Sequence, residues 1–216
     1  MNRSNLNKMI SLFLYSVLFI GFLGKRLLVG GSGCGFSTFF ASSVPGLASF
    51  MPLGLFGGLI LARSAFKFAL FGGLPSTYLP TLIGTLSFRS KSLFLWVVVP
   101  VLCISLFIMN PVGGQAFLFS FYWLIPMIIF VIRIDNLFLR ALGASFLMHA
   151  VGSVLWIYLV PSMPEYWIKL ISIVWMERLF VSCSIMTSYY VVNAISLYGL
   201  NVLEFFKKPV ILLHQK

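Results

Sequence analysis

Apolar residues run along this chain in long blocks, broken by short clusters of glycine, proline or charge. A helix needs about 20 apolar residues to cross the hydrocarbon core of a bilayer. The pattern predicts such helices over Leu6–Gly24, Val44–Ala62, Phe68–Phe88, Leu93–Met109, Ala116–Ile132, Leu137–Val160 and Trp167–Tyr190. No segment between them is long and polar enough to fold in water by itself. The expected architecture is an all-α transmembrane helical bundle in one integral membrane domain, residues 1–216.

The breaks between blocks differ in charge. Arg89 and Lys91 mark one side of the bundle, and Arg133 and Arg140 return to it. Asn110–Gln115 carries no charge, and Pro161–Glu165 carries only an acidic residue. By the positive-inside rule the basic breaks face the cytoplasm, as do Lys207, Lys208 and Lys216 near the C-terminus. Arg63 and Lys67 also read as cytoplasmic, so Phe68–Phe88 would begin and end on the same side. That block holds Gly72, Gly73, Pro75 and Pro80, which break or kink helices. A re-entrant or broken segment, tolerable only where protein or a water cavity satisfies its backbone, leaves six full spans; a plain seventh span is the alternative.

Composition supports lipid as the solvent. The chain is 60% hydrophobic and only 9% charged, where soluble domains carry about 25% charged residues. Its net charge of +11 comes from 15 Lys and Arg against 4 Asp and Glu. Because these bases stand between apolar blocks, they read as loop anchors and not as a nucleic-acid surface. Cys34, Cys103 and Cys183 are far apart and lack metal-site spacing, so no disulfide framework or zinc site is expected. The basic start followed by Met9–Gly24 and Lys25-Arg26 reads as an uncleaved first transmembrane helix. The glycine-rich stretch Val29–Thr38 lacks the Gly-Lys-Ser/Thr ending of a phosphate loop and reads as a connection or an external lid.

An ionisable group inside a membrane helix is expensive, and so marks a functional position by default. His149 sits near the middle of Leu137–Val160, and Ser145, His149, Gly152, Ser153 and Trp156 share one helical face. Glu177 and Arg178 lie about ten residues into the following block, at matching depth for antiparallel neighbours. Two readings stay open. Glu177 or His149 could pair with Arg178 as an interhelical lock, or these groups could line a solute pocket or proton relay. Gln115, Tyr122 and Trp123 fit an aromatic belt or a stacking wall for a flat solute. His149 and Ser153 stand one turn apart on one helix, which is poor geometry for a nucleophile and its base. No HExxH or paired-Asp motif occurs, so no catalytic residue, metal or cofactor is expected. Asp135, beside Arg133, reads as half of a loop ion pair.

With 216 residues, six expected spans, basic cytoplasmic loops and the early glycine-rich loop Val29–Thr38, the chain resembles the substrate-binding S components of energy-coupling-factor vitamin importers. The Ala-xxx-Ala docking contact of that family has no counterpart in Met9–Gly24; Gly54–Ala62 offers a substitute. The resemblance implies uptake of a small organic nutrient, a pocket in the outer half of the bundle, and a transmembrane coupling subunit and ATPases as partners. On the residue reading, His149, Ser153, Trp156, Glu177, Arg178 and Gln115 are the expected lining or proton-relay positions. A proton-coupled secondary transporter and a non-catalytic scaffold of an envelope complex are the alternatives. The expected setting is a bacterial inner membrane with the C-terminus in the cytoplasm.

Overall fold

Prolines and polar caps set most of the element boundaries in the computed structural model, which describes residues 43–71 and 78–207. A short helical segment, 43–48, turns at Ser49–Met51 before α1, Leu53–Phe71. Pro52 has no N–H to give a helix continuing from residue 48, so the expected single span Val44–Ala62 is two helices with a bend between them. α2 is Tyr78–Arg89. Gly72, Gly73 and Pro75 fall in 72–77, outside the described residues, while Pro80 occupies the first turn of α2, where a missing N–H is tolerated.

α3 starts as a π-helical turn, Phe94–Val98, and continues as an α-helix, Val99–Met109. Pro100 explains the wide turn. An α-helical ring at that position would clash with the carbonyl four residues back, and the wider winding before it relieves the clash. The brief α4, Pro111–Gln115, has Asn110 as N-cap, whose side chain accepts from the Val112 and Gly113 amides. α5 is a 3-10 stretch, Phe117–Trp123, running into an α-helix, Leu124–Ile132, with Pro126 near the junction. Arg133 ends it in the left-handed region at φ 58°. α6, Leu137–Leu159, is capped by Asn136. α7, Pro164–Lys207, opens with proline and Glu165 in its first turn.

α6 is the hub: α2, α3, α5 and α7 all pack against it. Two contacts set its fit. A Cβ at Gly143 would collide with the Trp96 ring, and one at Gly84 of α2 would collide with Met148. Beside the hub, Phe107, Phe119, Trp123 and Trp167 meet edge to face with ring centroids 5.1–6.0 Å apart, apart from the tilted pair Phe107–Phe119. All four are essentially fully buried. Trp123 is thus core and not an interfacial belt residue. Tyr122 is neither belt nor solute wall: it stacks on Phe146 and donates from its hydroxyl to the Ile171 carbonyl at 2.6 Å.

Charge collects at one end of the bundle. Lys91 donates to the Ile134 carbonyl at 2.6 Å and lies 3.6 Å from Asp135, whose main partner is Arg140 at 2.6 Å. The loop ion pair therefore exists, but with Arg140 and Lys91 in place of Arg133. The Arg140 hydrogen bond and charge hold the Asp135 carboxyl below the usual carboxylate range. Nearby, Arg89 donates to the Met51 carbonyl at 2.6 Å, a cation closing the C-terminal end of segment 43–48. Near the other end of α6, Gly113 approaches Ile157, and α4 there carries no charged residue.

The described residues hold two helices long and apolar enough to cross a bilayer, Leu137–Leu159 and Pro164–Ser196. α7 exceeds the expected Trp167–Tyr190 at both ends: its 44 residues span about 66 Å at 1.5 Å per residue. α3 and α5 are shorter apolar helices, Phe94–Met109 and Phe117–Ile132.

Candidate functional site

His149, Ser153 and Trp156 of α6 and Glu177 and Arg178 of α7 line one groove of about 340 Å³, closed on a third side by Pro80 of α2. The i, i+3, i+4 spacing on α6 puts His149, Gly152, Ser153 and Trp156 on one face, and α7 runs antiparallel beside it. Gly152 keeps the wall low: a Cβ there would touch only Pro80, at an ordinary 3.6 Å. Gln115 is not part of the groove. It is exposed on α4 and donates to its own Pro111 carbonyl at 3.3 Å.

Met148, Tyr166, Trp167, Leu170 and Val174 also line the groove, none of them a candidate from sequence. Tyr166, Leu170 and Val174 stand four residues apart and lead directly to Arg178, with Trp167 beside them. That ladder is legible in the sequence. In the other direction along α7, Ser182 and Ile185 follow Arg178 at helical spacing and are buried. Trp167 donates from Nε1 to Ser162 Oγ at 3.1 Å, which ties the groove's rim to the turn before α7.

The polar groups are arranged unevenly. Arg178 Nη2 donates to Glu177 Oε2 at 3.3 Å, a pair between chain neighbours. The Glu177 side chain is 49% exposed and that of Arg178 16%. Arg178 Nε and His149 Nε2 are both buried, and neither has a hydrogen-bond partner among the described residues. His149 rests edge-on against Phe119, centroids 5.4 Å apart. A buried polar atom without a partner costs about 1–3 kcal/mol, so both atoms sit at a cost beside the groove.

The lock expected between helices is built differently. Glu177 and Arg178 share a helix, and no hydrogen bond joins His149 to either among the described residues. The α6–α7 tie is made by backbone: Ser145 Oγ of α6 donates to the Arg178 carbonyl at 3.1 Å, and Ser182 Oγ donates to the same oxygen at 2.6 Å. The charged side chains are thereby left to the groove.

Ser153 is buried and no hydrogen bond joins it to His149 among the described residues. Those residues also contain no group of three His, Cys, Asp or Glu able to hold a metal ion. No protein-family model, curated protein or solved structure matches this chain.

Proposed function

We propose that this chain is a membrane-embedded substrate-binding component for uptake of a small organic, vitamin-like solute, energised by partner subunits. The observation that carries the reading is the convergence of His149, Ser153, Glu177 and Arg178 on one groove between α6 and α7. Polar side chains that converge on one concave, otherwise apolar groove are the usual makings of a small-molecule site.

Membrane embedding is supported by what faces outward. Val131 is 73% exposed, Leu61 and Phe180 are each 70% exposed, and Met109 reaches 77%. Exposed large apolar residues recur along α1, α3, α5, α6 and α7, an arrangement that is ordinary against acyl chains. The charged end with Arg89, Lys91 and Arg140 then lies at the cytoplasmic face of a bacterial inner membrane. The C-terminus lies on that side in the six-span arrangement with a re-entrant or broken Phe68–Phe88. The chain resembles S components of energy-coupling-factor importers in size and expected topology, and the coupling subunit and ATPases would be supplied by partners.

A proton-coupled transporter is the second reading, favoured by the presence of His149 and Glu177 in the same groove. A scaffold role needs the charged pair to tie helices together, whereas it joins neighbours on one helix.

Thermal melting of the full chain in mild detergent tests binding. A ligand at 100 times its Kd stabilises by about 2.7 kcal/mol, so a small-molecule extract of the source cells should raise the melting temperature of the wild type. Glu177→Ala should fold and lose that shift. A Glu177→Ala protein that fails to fold would restore the lock.

A further inference from the structure

We infer that the charged end of the bundle binds the phosphate headgroup of an anionic phospholipid between Lys91 and Arg140, with Arg133 adding charge beside them. This rests on the membrane reading above and is independent of the groove.

Asp135 gathers bases from two separate elements. Lys91 Nζ, just past the end of α2, lies 3.6 Å from Asp135 Oδ1, and Arg140 Nη2 of α6 lies 2.6 Å from the same oxygen. The two nitrogens are therefore within about 6 Å of each other, and charge-assisted hydrogen bonds of about 2.8 Å let one phosphate reach both. Neither base is sealed off: the Lys91 and Arg140 side chains are 20% and 30% exposed. Lys91 donates to the Ile134 carbonyl and Arg140 to Asp135. An ammonium and a guanidinium each carry more donors than these contacts use.

The charge is unbalanced. Lys91, Arg133 and Arg140 stand around one carboxylate, Asp135, and the other acidic residues of the chain, Glu165, Glu177 and Glu204, all belong to α7. The Arg133 side chain is exposed and makes no hydrogen bond among the described residues. Arg140 also closes the first turn of α6, which holds no acidic residue. The helix dipole favours an anion there and opposes a base. A bound phosphate supplies the missing negative charge to both.

The apolar surroundings select a lipid as the carrier of that phosphate. Leu93 and Phe94, where α3 begins, and Val131 and Ile132, where α5 ends, are all more than half exposed. The π-helical start of α3 packs against the α-helical part of α5, so both pairs lie at the same end of the bundle as the bases. A headgroup at Lys91 and Arg140 leaves its acyl chains beside this surface. A free phosphate ion would use the bases alone. Basic pockets between helices at a cytoplasmic face are suited to anionic headgroups for these reasons.

Native mass spectrometry of the full chain in mild detergent tests this, with equal amounts of phosphatidylglycerol and phosphatidylethanolamine of the same acyl composition. Both carry the phosphate, but only the first is a net anion. The chain should retain one phosphatidylglycerol, at least about fivefold more often than phosphatidylethanolamine, since one base near an anionic headgroup contributes about that factor. Lys91→Gln and Arg140→Gln should each lower the retention about fivefold. Arg133→Gln alters an exposed side chain without a partner, so it should melt like the wild type, lower the preference in the same direction, and carry the test where the other two fold poorly. Equal retention of the two lipids, or a preference unchanged in Arg133→Gln and Lys91→Gln, overturns the inference. Loss of the retained lipid on adding millimolar inorganic phosphate makes the site one for the free ion and overturns it as well. The membrane reading fails separately: a chain that stays monodisperse once detergent is removed overturns both, whereas one that needs detergent and shows no lipid preference overturns this inference alone.

Discussion

α6 and α7 are consecutive, similar in hydropathy and long enough to cross a bilayer, yet they are built for opposite tasks. α6 is enclosed: Ala141, Ala144, Leu147 and Ala150 are completely buried, and neighbours pack on several sides. α7 is one-sided. Val174 and Ile185 are completely buried, whereas Trp175, Met176 and Phe180 between them are 50%, 46% and 70% exposed. The same apolar composition serves a protein-filled environment in one helix and a largely exposed one in the other. The polar groove lies along their shared edge, where the crowded helix supplies a fixed wall and the one-sided helix supplies Glu177 and Arg178.

The contrast is broken most severely in the hub. Leu147→Ala removes a fully buried side chain and should destabilise by about 2–5 kcal/mol. Phe180→Ala on α7 should stay within about 0.5 kcal/mol in detergent. Thermal melting of the two variants side by side measures the difference, and equal losses would mean that α7 is as enclosed as α6. Gly143→Ala forces a methyl group against the Trp96 ring and should cost about 1–3 kcal/mol, whereas Gly58→Ala on α1, which meets nothing, should not lower the melting temperature.

Smaller effects sharpen the edge between the helices. Ser145→Ala removes the hydroxyl that bonds the Arg178 carbonyl and should lower stability by about 1 kcal/mol. Glu177→Ala should lose about 1 kcal/mol or less, because its half-exposed carboxylate pairs only with its neighbour. Its larger effect should fall on ligand retention. The least effect is expected at Asp135. Its carboxyl is held below its unfolded value by Arg140, so its contribution is present above about pH 4 and fades as pH falls through the folded value. Asp135→Asn should flatten that part of the acid-side melting profile and leave the neutral-pH ligand shift unchanged.

The all-helical character of the described residues was legible in the sequence, whereas the number of spans was not. Helix caps at Asn110 and Asn136 and the proline start of α7 are local signals, and they act locally. The burial of Trp123 was not legible, because a tryptophan near a helix end reads as an interfacial anchor until its neighbours Phe107 and Phe119 are placed. The break within Val44–Ala62 was missed because a run of apolar residues conceals Pro52, whose effect depends on backbone and not on hydropathy. In the candidate site, helical spacing alone grouped His149, Ser153 and Trp156, and matching depth added Glu177 and Arg178. Gln115 was placed by polarity alone and lies elsewhere, on the exposed surface of α4. The direction in which the Arg178 face opens depends on how α2 closes over it through Pro80, a contact between segments far apart in the chain.

Native mass spectrometry of the gently solubilised full chain, wild type against Gly152→Phe, tests most directly whether the α6–α7 edge is a binding site. The account predicts one small organic molecule retained per wild-type chain and none on Gly152→Phe, with both proteins folded. A wild type that carries no small molecule, or a Gly152→Phe variant that retains the same one, would contradict it.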